Sequence, residues 1–261
     1  MKTAVIISGQ PRNVQENFHN INEFILKPNN PDVFIHSWIS ENIYNKQEFS
    51  PWITYENLDE NHKKQFIEYK NSKYIPVCEK IPKNIDNIII DLYKPIDFKF
   101  EKQIEFYFDE KFYSIIPISK SEVDKRLPDT LSMYYSTFEA NKLKKKHELN
   151  NHFLYDYVMK IRFDLAFVEP FIFQKYPNNK LTFSDHHWKD PICFTNMWAL
   201  GSSNIMDCYS ETYLNITNNI EQKKMSFTDE CILGQHVHEC GIEKNPISFS
   251  TRIMRLKNIY T

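Results

Sequence analysis

From Tyr155 to Phe167 the chain reads Tyr-Asp-Tyr-Val-Met-Lys-Ile-Arg-Phe-Asp-Leu-Ala-Phe, an apolar run whose second half is broken by a lysine, an arginine and an aspartate. Tyr, Val, Met, Ile, Phe and Leu crowded into so short a stretch predict a buried strand. A charge inside such a run costs on the order of several kcal/mol unless it is paired, ligates a metal or faces a cleft. Lys160, Arg162 and Asp164 fall on alternating positions, hence on one face of a strand, where two cations and a carboxylate would meet one ligand. An anion such as a nucleotide diphosphate suits that set. The competing reading is a salt-bridge cluster at the strand end, because ion-pair networks that only hold structure look much the same.

The opening of the chain points the same way. Thr3 to Ile7 is a short β-branched run leading into Ser8-Gly9-Gln10-Pro11-Arg12, and Val14, Phe18, Ile21 and Ile25 follow at helical spacing. Strand, tight loop and helix in that order put free backbone N–H groups beyond the carboxyl end of a strand, where α/β sheets seat phosphates, and Arg12 adds charge there. Gly9 by itself is equally a turn glycine, since neither G-x-G-x-x-G nor the P-loop pattern occurs. Asp32 to Trp38 forms a second strand, again polar at its C-terminal end. His36 and Trp38 there reach a base or a sugar, or else pack as an ordinary hydrogen-bonded pair. A polar helix is expected around Asp59 to Lys70 and a third strand at Ile88-Ile89-Ile90. Strand alternating with helix predicts one α/β domain with a mostly parallel sheet.

Phe98 to Ser119 holds a short strand and a loop. Pro128-Asp129-Thr130 offers a helix start, with Leu131, Tyr134, Tyr135, Phe138 and Leu143 near helical spacing and Lys142 to Lys146 as the solvated end. Lys180 to Phe183 is a strand candidate. The segment Asp185-His186-His187-Trp188-Lys189-Asp190 invites a metal reading that geometry resists, because neighbours on an extended segment point to opposite sides. Asn196 to Gly201 reads as a strand ending in glycine, followed by a helix capped by Ser202 or Ser203 with Ile205, Met206, Tyr209 and Tyr213 on one face. Thr228 caps another helix, which Cys240-Gly241 closes, and its first turn carries Asp229 and Glu230. Two acidic residues there are helix-dipole partners, or one of them faces a cleft as a general base. Arg252 and Arg255 in the final run are contacts to a phosphate or surface charges on an edge strand.

A formal charge of −2 and a pI near 6.5 give no general attraction for nucleic acid, so affinity for an anion has to be local. Only Arg12, Arg126, Arg162, Arg252 and Arg255 among the 32 basic residues are arginines, the better fork for phosphate. The five cysteines (Cys78, Cys193, Cys208, Cys231, Cys240) are odd in number and share no C-x-x-C spacing. That argues against a disulfide framework or a zinc site and for a reducing compartment. There is no signal-peptide core and no apolar run approaching the roughly 18 residues of a membrane span. A soluble cytoplasmic protein is expected, with peripheral membrane docking left open.

Six segments, in order and across most of the chain, carry a family resemblance: IISGQPRNVQENF, DVFIHSW, SMYYSTFEANKLK, YDYVMKIRFDLAF, NMWALGSSNIMDCY and DECILGQHVHECGI. Together they resemble glycosyltransferase-like proteins of large viruses and bacterial surface-polysaccharide loci. The resemblance implies a single GT-A-like domain, with a nucleotide-binding part over about 1–167 and an acceptor part over about 168–261. It implies transfer of a sugar from a nucleotide sugar to a glycan or other hydroxyl acceptor, in the host cytoplasm for a viral member. By the same likeness Ser8, Gly9 and Arg12, with Gln10 in the same loop, would meet the nucleotide and His36 would lie near it. Lys160 and Arg162 join them as cations, and Asp164 takes the place of the last aspartate of the DXD motif. The first carboxylate of that motif is here Arg162. Either the arginine itself neutralises the diphosphate, or Asp164 holds a Mn2+ or Mg2+ ion carried largely by the diphosphate; the metal is the expectation. Asp229 or Glu230 would take the acceptor's proton. The alternative class is a catalytically silent protein that binds a nucleotide sugar or glycan; a nucleotide hydrolase is disfavoured by the lack of a P-loop or phosphatase-type motif.

Overall fold

The computed structural model describes residues 1–39, 42–46, 76–80, 82–106, 120–185, 192–223 and 228–253. The helix expected over Asp59 to Lys70, the His186 to Asp190 loop and Arg255 lie outside the described residues. In chain order, β1 (Thr3–Gly9) leads to α1 (Val14–Ile21), which continues through a π-helical turn and a last short turn ending at Asn29. Then come β2 (Asp32–Trp38), β3 (Asn42–Lys46), β4 (Pro76–Lys80), α2 (Ile85–Tyr93), β5 (Asp97–Glu101) and the long α3 (Lys120–Asn151). β6 (Tyr157–Ile161), β7 (Leu165–Phe167), β8 (Leu181–Ser184) and β9 (Ala199–Gly201) follow. The chain closes with α4 (Ser203–Ser210), α5 (Thr212–Lys223), α6 (Asp229–Glu239), β10 (Lys244–Ile247) and β11 (Thr251–Ile253).

Seven strands form one sheet in the order β10-β8-β9-β6-β1-β2-β5, parallel except for β9, which runs against both its neighbours. This is the expected α/β class, and the sheet draws strands from both parts of the chain. β3 pairs with β4, and β7 with β11, as separate antiparallel ribbons. β1 and β6 are buried on both faces. Ala4, Ile6, Phe34 and Val158 pack under α3, α4, α5 and α6, while Val5, Ile7, Ile35, Met159 and Ile161 pack under α1 and α2. Among the described residues no helix is long and apolar enough to cross a membrane.

The strand order decides where a ligand can sit. From β1 the chain builds outward through β2 to β5, then returns to place β6 on the other flank of β1, with Ile7 beside Ile161. In open α/β sheets ligands sit outside the carboxyl ends of the strands beside such a reversal. The loop after β1 and the turn after β6 both lie there. Gly9 has φ +113, a left-handed conformation that a side chain rarely adopts, and Asn13 turns into α1 with φ 51.

Several expectations are corrected. Ile88-Ile89-Ile90 is helical, because Ile85, Ile89 and Tyr93 recur every four residues on a buried face while Asn87 and Asp91 face water. α3 starts eight residues before Pro128, which sits inside it. The lysine run is not uniformly solvated: the Lys144 ammonium is fully buried between Glu148 at 3.0 Å and Asp207 at 2.8 Å. The central run is a strand, a turn and a second strand, so Arg162 and Asp164 stand beyond the end of β6 instead of along it. The expectation of free cysteines fails as well. Cys193 is joined to Cys231 and Cys208 to Cys240, across 38 and 32 residues of sequence, separations that carry no local spacing signal. The inference of a reducing compartment loses its basis with them.

Candidate functional site

Lys160 projects from β6 on the same face as Val158 and is buried, donating its ammonium proton to the Asn196 carbonyl at 2.6 Å. Burial, with repulsion from Arg162 behind it, brings its pKa down to about 7. Two residues on, Arg162 and Asp164 form a planar fork, Nε to Oδ1 at 2.8 Å and Nη2 to Oδ2 at 2.7 Å. The Asp164 side chain is only 3% exposed, whereas Arg162 keeps 21% of its side chain in solvent. Burial opposes the guanidinium charge, but the Asp164 carboxylate outweighs it and raises the pKa. Asn17 of α1 holds this turn, its amide donating to the Phe163 carbonyl at 2.7 Å and the Leu165 carbonyl at 2.9 Å. The helix that follows the first loop therefore fixes the geometry of the second.

The N-terminus of α6 meets the same place. The Thr228 hydroxyl accepts from the Cys231 N–H at 3.3 Å, the expected cap. The Asp229 carboxylate accepts from the Asn196 side-chain amide at 2.6 Å, and the Tyr134 hydroxyl donates to the Asp229 carbonyl at 2.7 Å. Asn196 thereby bridges Lys160 and Asp229, and the Asp229 charge helps to stabilise both Lys160 and Arg162 in their protonated forms. Burial, then Asp229 and Glu230, hold the Tyr134 phenol well above its ordinary pKa, so it stays a donor. Lys160, Arg162 and Asp164 thus form one electrostatic cluster with Asp229 from the start of α6, and Glu230 joins it through Tyr134. Of these, Arg162, Asp229 and Glu230 are partly exposed, as are Gly9, Gln10 and Arg12 in the loop after β1.

Ser8 and His36 are placed differently. Ser8 Oγ lies 3.0 Å from Thr137 Oγ1, and Ser136 Oγ accepts from the Gly9 N–H at 2.7 Å. His36 is fully buried with Nδ1 at 2.7 Å from Ser136 Oγ and Nε2 at 2.8 Å from Glu101 Oε1, and burial lowers its pKa despite Glu101. Both side chains tie strand ends to α3, which is the packing alternative for this histidine. Gln10 Oε1 is a buried acceptor with no hydrogen-bond partner among the described residues.

Three contributors escaped the sequence reading. Asn196 sits in an apolar run with no motif around it. Tyr134 and Ser136 belong to a hydroxyl-rich stretch, Tyr134-Tyr135-Ser136-Thr137, whose density of donors on an otherwise apolar helix face is a signal that was there to be used. A Mn2+ or Mg2+ ion on Asp164 does not fit this arrangement. Both carboxylate oxygens are taken by a guanidinium, and a dication would stand against Arg162 and Lys160. What the cluster offers chemically is an oriented arginine, hydrogen-bond donors beyond β1, and carboxylates at a helix start opposite them. No protein-family model and no curated protein matches this chain.

Proposed function

We propose that the chain is a GT-A-like glycosyltransferase that moves a sugar from a nucleotide sugar to a hydroxyl acceptor. The observation that carries this reading is the placement of the Gly9 to Arg12 loop and Arg162 at the carboxyl ends of the neighbouring strands β1 and β6, with the acidic start of α6 coupled to Arg162 through the Asp229 charge. The diphosphate would lie along the loop after β1, its charge met by Arg162 and Arg12. Asp164 aims Arg162 and does not itself touch the ligand; Lys160 acts through Asn196 and Asp229 in the same positioning sense. Asp229 or Glu230 takes the acceptor hydroxyl's proton as the acceptor oxygen bonds to the anomeric carbon, and the bond from that carbon to the diphosphate oxygen breaks with its electron pair leaving on the nucleotide. No divalent ion enters these steps.

One observation favours the silent binder as second reading: Asp164 is ion-paired with Arg162 and Asp229 is hydrogen-bonded by Asn196, a floor whose carboxylates are already engaged and suited to holding a ligand. A panel of nucleotide sugars tested by calorimetry, with and without a chelator, and by release of free nucleotide with a broad acceptor set separates the readings. Binding with turnover that survives chelation is the expected result. Binding without turnover transfers the assignment to the binder, and no binding to any nucleotide refutes both.

A further inference from the structure

Away from the candidate site, α4 and α6 bring together a second group of chemically active side chains. His236 and Cys240 stand one helical turn apart on α6, and Cys208 reaches them from α4. The sulfurs of Cys208 and Cys240 lie 3.8 Å and 3.7 Å from His236 Nε2, and the three ligand atoms all fall within 4.8 Å of one another. The imidazole is buried, Cys208 half-buried and Cys240 exposed, so the group opens to solvent on one side only. Tetrahedral zinc, with bonds of about 2.3 Å to sulfur and about 2.0 Å to nitrogen, spaces a sulfur and a nitrogen by about 3.6 Å and two sulfurs by about 3.8 Å. Both sulfur-to-nitrogen edges therefore already have the length a tetrahedral ion requires. Only the two sulfurs, joined as a cystine, have to part.

We propose that Cys208, His236 and Cys240 form a redox-gated site for a thiophilic dication of the zinc class, closed while the two cysteines are paired and opened by their reduction. A reducing dithiol or phosphine supplies the two electrons that break the sulfur–sulfur bond, and the sulfurs take up two protons as thiols. Ion binding then displaces those two protons, so that two thiolates and a neutral imidazole balance the dication and a fourth position faces solvent beside Cys240. His236 has to release the Cys208 carbonyl, now 2.8 Å from its Nε2, in exchange for the ion. Burial lowers the pKa of His236, the direction that keeps the imidazole neutral for ligation, with Glu211 acting the other way. The Cys193–Cys231 cystine differs: both residues are buried and among the described residues no imidazole joins them in a ligand group, so it is a staple and not a gate.

The test uses the whole chain, oxidised or reduced with a phosphine that is then removed, titrated with Zn2+ against a chromophoric chelator. One equivalent is expected in the reduced chain and none in the oxidised one. Cys208→Ser and Cys240→Ser should each weaken binding at least 100-fold, whereas the Cys193→Ser/Cys231→Ser pair should retain it. Zinc should also shield Cys208 and Cys240, but not Cys193 or Cys231, from alkylation mapped by mass spectrometry. A folded, reduced chain that binds no zinc, or binds it equally after both site cysteines are replaced, overturns the proposal. So does a reduced chain that loses its helical circular dichroism and takes up no zinc, since the site exists only where α4 and α6 are packed.

Discussion

Removing Asp164 is the sharpest perturbation of the candidate site. Asp164→Asn keeps the shape of the side chain but leaves Arg162, four-fifths buried, facing an amide where a carboxylate accepted two charge-assisted hydrogen bonds. Breaking a fully buried ion pair costs about 3–5 kcal/mol. The solvent open to Arg162 and the nearby Asp229 charge reduce that here to about 2–3 kcal/mol, or about 4–12 °C of melting temperature for a chain of this size. Because the arginine is no longer aimed, nucleotide binding should fall about tenfold or more, the weight of one charge-assisted hydrogen bond. The double variant Arg162→Met/Asp164→Leu separates the two effects. It should recover most of the stability, since apolar replacements of buried pairs are often neutral or better, and still bind no nucleotide. Urea unfolding and calorimetry on all three chains check this. An Asp164→Asn chain as stable as its parent, or a double variant that binds nucleotide normally, would refute the reasoning.

The buried lysine gives a pH prediction. The folded pKa of Lys160, about 7, lies below the roughly 10.4 of an unfolded lysine, so between those values the unfolded chain holds a proton that the folded chain lacks. Stability relative to Lys160→Met should therefore climb with pH, by up to about 1.4 kcal/mol per unit from pH 7.5 to 9 in urea titrations; a flat or falling difference contradicts the burial argument. A Cβ at Gly234 would lie 2.0 Å from the Ile192 carbonyl oxygen, so Gly234→Ala should cost about 3 kcal/mol or more and lower the melting temperature sharply. Gly9→Ala meets no atom but forces φ +113 on a side chain, and should cost only about 1–2 kcal/mol in the same assay. Cys193→Ala opens a loop with a sequence separation of 38 and should destabilise by about 4 kcal/mol, read as an earlier urea midpoint.

What was legible in the sequence was whatever depends on neighbours in the chain. β1, β2 and β6 announce themselves because a strand covered on both faces must be apolar throughout, and Thr228 announces α6 because a cap bonds three residues on. The acidic start of α6 and the charges after β6 stood out for the same local reason. What was hidden depends on partners distant in sequence. Isoleucine favours strands, and the buried stripe of α2 is only two turns long, too short to outvote that preference. Nothing in Lys144-Lys145-Lys146 says that the first of them will find Glu148 and Asp207. Asn196 acquires its role only when β6 and α6 are brought to either side of it, and the cystines only when α6 is docked.

The carboxamides of Asn17, Asn20 and Asn29 hold the backbone of residues 163–173 through six hydrogen bonds, two from each asparagine. During synthesis these three side chains emerge from the ribosome more than a hundred residues ahead of the groups they bind. Until that later segment arrives, the first helix carries these polar groups without their native partners. The helical segment after β1 thus finds its native hydrogen-bond partners only in the segment that carries the arginine–aspartate fork.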